Sequence, residues 1–76
     1  MRESALQERI IRKAEADGWM VIKIIRANVS GLPDLLLLRD GEARFVEVKR
    51  PGRMATPLQE LMHRRLRAAG FSVVVE

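Results

Sequence analysis

Asp34 follows Pro33 directly, and Glu47 and Lys49 interrupt the apolar stretch Phe45-Val46-Glu47-Val48-Lys49. Charges rarely enter strand interiors, because an ionised carboxylate taken out of water without a partner is costly. The explanation lies in Asp40-Gly41, which separates two apolar runs. Asp-Gly is the signature of a two-residue type I′ hairpin, where both central residues need positive φ. Such a loop sets Arg39 opposite Glu42, Leu36 opposite Phe45, Leu35 opposite Val46 and Asp34 opposite Glu47. Opposed residues project on one face with Cβ atoms about 4.5–5.5 Å apart, and Lys49, two positions beyond Glu47, shares that face. A bulged three-residue loop would shift this register by one.

Two carboxylates side by side repel, and at least one pKa must rise. A divalent cation removes the conflict. Mg²⁺ takes oxygen ligands in octahedral geometry and is commonly held by one or two carboxylates together with a phosphate. A lysine beside such an ion can orient an attacking water or offset charge on phosphoryl oxygens. Taken singly, Asp34 would suit an exposed strand start and Lys49 a surface ion pair. Taken together on one face, the three residues point to a metal site.

The elements that must position them are legible from periodicity. Leu6, Ile10, Ile11 and Ala14 recur at helical spacing between Glu3 and Asp17, with Glu3 and Ser4 giving acid and capping character and Gly18 a stop. Trp19 to Ile25 reads as a strand, Asn28 to Pro33 as a loop, and Asp34–Arg39 and Ala43–Lys49 as the hairpin strands, ended by Pro51 and Gly52. Thr56-Pro57-Leu58-Gln59 opens a second helix with a capping box and proline at the first helical position. Leu58, Leu61, Met62, Leu66 and Ala69 form its expected buried stripe, Arg64, Arg65 and Arg67 favour its C-terminal dipole, and Phe71 to Val75 is a last strand. The expected architecture is a single α/β domain over residues 1–76, a small mixed β-sheet flanked by helices in the order α-β-β-β-α-β.

A chain of 76 residues with 47% hydrophobic and 32% charged residues is globular and small enough to gain from oligomerisation. It has no cysteine, which excludes disulfides and thiolate zinc sites and fits the cytoplasm. Its longest aliphatic run, Leu35 to Leu38, is far below the roughly 20 residues of a membrane helix, and the charged N-terminus does not read as a signal peptide. A net charge of +4 favours a polyanion partner.

Pro33-Asp34 followed by Glu47-Val48-Lys49 resembles the PD-(D/E)XK nuclease signature. More narrowly, the succession of a helix, "GLPD", "FVEVKRPG", "TPLQ" and "LRAAGFSVVV" is similar to the VRR-NUC family, the virus-type replication-repair nucleases, in the minimal stand-alone form of phages and prophages. The likeness spans nearly the whole chain. It implies a restriction-endonuclease-like core and Mg²⁺- or Mn²⁺-dependent endonuclease cleavage of DNA phosphodiesters. Asp34, Glu47, the Val48 carbonyl and an acid of the first helix would be the metal ligands, and Lys49 the catalytic lysine. Glu3, on the same helical face as Leu6 and Ile10, is the expected first-helix ligand; Glu8 falls on the charged face, and Gln7 stands where relatives could carry the acid. Gln59 would belong to the active-site neighbourhood, or else serve only the capping box with Thr56. The resemblance also implies a homodimer acting on four-way (Holliday) junctions.

Lys23, Arg26, Arg50 and Arg53 flank the expected site as candidate contacts for DNA phosphates, which give affinity without sequence preference. No base-reading motif is present. His63, the single histidine, stands in an arginine-rich helix and reads as a solvated residue, and Trp19 as a core residue. Two rival functions are a nuclease without preference for DNA structure and a DNA-binding module with a vestigial site. Paired acids argue against the second, since they repel phosphate.

Overall fold

Leu6, Ile10, Ile11 and Ala14 turn to one side of helix α1 (Glu3–Ala16) in the computed structural model, which describes residues 1–76. Its end is set locally. Gly18 takes φ +89°, and the Trp19 amide donates to the Ala14 carbonyl at 3.0 Å. The start differs from expectation: Arg2 occupies the N-cap with no side-chain cap, because Ser4 already lies inside the first turn.

Four strands follow, shorter at their ends than the apolar runs suggest: β1 (Met20–Lys23), β2 (Leu35–Arg39), β3 (Glu42–Glu47) and β4 (Ser72–Val75). They form one sheet in the order β1-β2-β3-β4. The first three pair antiparallel and β4 runs parallel to β3, so the sheet is mixed. Asp40 (φ +49°) and Gly41 (φ +78°) make the expected tight turn. The register follows from it, with Leu35 paired to Val46 and Arg39 to Glu42.

Alternation then sorts the side chains. Leu35, Leu37, Val46 and Val48 face α1 and form the core with Ala14 and Trp19. Trp19 is buried as expected, with the Arg39 and Arg44 guanidinium carbons 4.0 and 4.9 Å from its ring centroid. On the opposite face the register aligns Met20 with Leu38, Ile22 with Leu36, and Phe45 with both Leu36 and Val73.

Helix α2 (Pro57–Ala68) provides the crossover that parallel pairing of β3 and β4 requires. Its capping box is complete: the Gln59 amide donates to Thr56 Oγ1 at 3.2 Å and the Thr56 amide to Gln59 Oε1 at 2.9 Å. The buried stripe is not the expected one. Met62 and His63 are buried, whereas Leu58 and Leu61 are 53% and 46% exposed and Ala69 is exposed. With His63 turned inward, the helix face bearing Leu58 and Leu61 turns away from the protein interior.

Candidate active site

Asp34 and Glu47 reach the same place by different routes. Glu47 ends β3, and its neighbours Val46 and Val48 point into the α1-side core, so alternation sends its carboxylate to the other face. Asp34 precedes β2 rather than pairing within it. The preceding loop is held in place by close packing: Gly31 has φ +83°, and a Cβ there would lie 2.8 Å from the Leu58 carbonyl oxygen. Asp34 Oδ2 accepts a 2.9 Å hydrogen bond from the Val48 amide, which fixes it across from β3.

That bond also orients Val48. The Val48–Lys49 peptide is trans, so with the Lys49 amide turned to Glu76 the Val48 carbonyl points to the opposite, Asp34, side. Glu47 and Lys49 use the other edge: the Glu76 amide donates to the Glu47 carbonyl at 2.9 Å, and the Lys49 amide to the Glu76 carbonyl at 2.7 Å.

Glu3, from the first turn of α1, completes the cluster. One carboxylate oxygen from each of Glu3, Asp34 and Glu47 lies within 4.8 Å of the others. Of the three first-helix candidates, Glu3 is the one brought there. Glu8 is exposed, and Gln7 is half-buried with its Oε1 buried and without a hydrogen-bond partner. Lys49 Nζ lies 3.9 Å from Glu47 Oε2, with the lysine side chain 15% exposed.

The electrostatics are those of a site short of positive charge. Glu47 is 1% exposed, and its pKa is pushed up to about 8, first by burial, then by its hydrogen bond and charge contact with Asp34; Lys49 opposes the rise and Glu3 adds to it. At neutral pH this carboxyl keeps a proton, as the crowding of acids demands. A divalent cation would take that proton's place, and the donor set of clustered carboxylate oxygens is the kind Mg²⁺ or Mn²⁺ prefers. The residues present therefore fit such an ion.

Of the candidate phosphate contacts, Arg50 and Arg53 line one hollow with Glu3 and Lys49. Lys23 and Arg26 are exposed and do not line it. Gln59 is engaged in the capping box through both its backbone amide and its side-chain oxygen.

His63 corrects the sequence reading. It is 3% exposed, not solvated, and its Nε2 lies 3.6 Å from Glu47 Oε1. Burial is the main cause that lowers its pKa, with Arg67 next, so the ring is neutral at pH 7. The available signal was spacing: His63 adjoins inward-facing Met62 and stands one turn after Gln59.

Comparison with known proteins gives the family and the fold. The chain is 34% identical over 76 residues to "Putative nuclease p44" of Acyrthosiphon pisum secondary endosymbiont phage 1, which covers 99% of this chain and 82% of that protein. A solved structure described as a VRR_NUC domain superposes with a TM-score of 0.86 at 37% identity, covering 96% of this chain and 81% of the other. The family model for the VRR-NUC domain matches residues 1–75, and the chain belongs to that family of nuclease domains.

Proposed function

We propose that this protein is a metal-dependent endodeoxyribonuclease that acts as a homodimer and selects branched DNA, such as four-way junctions, by shape. The observation that carries the metal-dependent chemistry is the meeting of Glu3, Asp34 and Glu47 oxygens within 4.8 Å, beside the Lys49 amine. Glu3, Asp34, Glu47 and the Val48 carbonyl would hold Mg²⁺ or Mn²⁺, which when bound supplies Lewis acidity toward a phosphoryl oxygen.

The other steps belong to the chain. Lys49 directs its ammonium group at the scissile phosphate, where it offsets developing charge and orients the attacking water. Arg50 and Arg53 bind backbone phosphates at the hollow they share with Glu3 and Lys49, while Lys23 and Arg26 extend the basic surface. Gln59 contributes by fixing the first turn of α2 through its cap.

Two features support dimerisation. Only 11 of 76 residues are buried, and Met20, Ile22, Leu58 and Leu61 leave apolar surface in water. Basic surfaces of a chain with net charge +4 repel one another, so a two-fold contact would be built on this apolar surface.

The test compares nicking of four-way junctions, linear duplex and supercoiled plasmid in Mg²⁺, Mn²⁺ or EDTA. Metal-dependent cutting confined to junctions is expected. Equal cutting of all substrates would remove the structure selectivity, and binding without cleavage in any metal would mark a vestigial site.

A further inference from the structure

Two buried polar atoms face each other at the site without a hydrogen-bond partner: Glu47 Oε1 and His63 Nε2, 3.6 Å apart. Buried polar atoms are nearly always satisfied, and each exception calls for a physical reason. The separation is slightly too long for a hydrogen bond and too short for a bridging water. Both side chains are almost fully enclosed, at 1% and 3% exposure, so bulk solvent does not reach them. The other oxygen of Glu47, Oε2, lies toward Lys49. The two carboxylate oxygens thus have different neighbours, an imidazole from α2 and an amine from the segment after β3.

We propose that His63 is a positioning residue for the metal site, donating its Nε2–H to Glu47 Oε1 so that Oε2 is presented to the ion. This rests on the metal-dependent function proposed above. At 3.6 Å the pair stands just beyond bonding distance, and site hydrogen bonds commonly shorten when the loaded state forms. Carboxylate ligands are generally held by such outer partners, and their loss weakens metal binding by about 10–100-fold. His63 reaches Glu47 from a helix whose start is locked by the Thr56–Gln59 capping box, so α2 becomes part of the site's frame.

The histidine is the only one in the chain, so its ring nitrogens give unambiguous NMR signals. The experiment titrates Mg²⁺ into ¹⁵N-histidine-labelled protein at pH 7.5, with calorimetry recording Mg²⁺ binding in parallel. Binding is expected to move Nε2 toward a hydrogen-bonded, protonated position. The matched variants His63→Gln and His63→Met, nearly equal in size, separate donor chemistry from packing, and the Gln variant should bind Mg²⁺ about tenfold more tightly than Met. Binding with an unmoved Nε2 signal, or equal affinities in the two variants, would overturn the role of His63 and leave the metal-dependent function standing. Absence of Mg²⁺ binding by the wild-type protein would overturn both.

Discussion

At the residue scale, Glu47 carries the most information. A carboxyl that keeps its proton to about pH 8 in the fold and loses it near 4.5 when unfolded stabilises the metal-free protein most in acid. Between those values the folded state binds more protons than the unfolded state, so stability falls as pH rises and is fully lost to this group above pH 8. The melting temperature in EDTA should therefore drop by several degrees between pH 5 and pH 8, and Glu47→Gln should flatten the profile. Mg²⁺ should reverse the trend, stabilising more as pH increases, because it competes with the proton. A melting curve in EDTA that rises steadily from pH 5 to 8 would contradict the assigned protonation. The same residue and its neighbour test the chemistry: Glu47→Gln and Lys49→Ala should each lower cleavage by at least about a hundredfold while junction affinity in a gel-shift assay stays within a few-fold. Unimpaired cutting in either variant would remove that residue from the reaction. Glu47 was legible because one Asp-Gly turn fixes a register and a register fixes faces; Asp34 and Lys49 lie just outside the paired strands, and Asp34 is held by the Val48 amide instead. His63 was not legible, because a basic helix conceals which of its polar residues turns inward until the helix is docked.

At the element scale, the hairpin, α2 and its cap followed from local chemistry: positive φ at Asp40 and Gly41, and Thr, Pro and Gln at the right offsets. What sequence periodicity could not give was the docking of α2. Its apolar residues Leu58, Leu61, Met62 and Leu66 are compatible with more than one rotation about the helix axis, and only contact with the sheet selects Met62 and His63 as the buried pair. The loop before Asp34 shows how tightly that docking is set. Gly31 combines φ +83° with backbone packing against Leu58, where an added Cβ would stand 2.8 Å from a carbonyl oxygen. Gly31→Ala should lower stability by about 1–3 kcal/mol in urea unfolding. It should also weaken cleavage, since the loop delivers Asp34 from one side while α2 delivers its own side chains from the other. Wild-type stability in this variant would mean that the loop is free to move away from α2.

At the scale of the whole molecule, the protein is a thin sheet with an unfinished face. α1 covers one side through Leu6, Ile10 and Ala14, but on the other Met20 is 63% and Ile22 38% exposed, and the outer side of α2 adds Leu58 and Leu61. A second copy related by a two-fold axis would bury this surface against itself, and a stable interface of that kind needs about 800 Å² from each partner. Sedimentation at tens of micromolar should show a dimer, with a melting temperature that rises with protein concentration because association and folding are linked. Ile22→Lys combined with Leu61→Glu should give a monomer that still binds Mg²⁺, since neither residue touches the acid cluster. The decisive comparison is on a four-way junction. If two active sites cut one junction as a pair, the monomeric variant should nick single strands and lose the symmetric double cut. A wild-type protein that sediments as a monomer and still makes the paired incision would place the pairing of cuts in sequential binding events, and the apolar face would need another occupant.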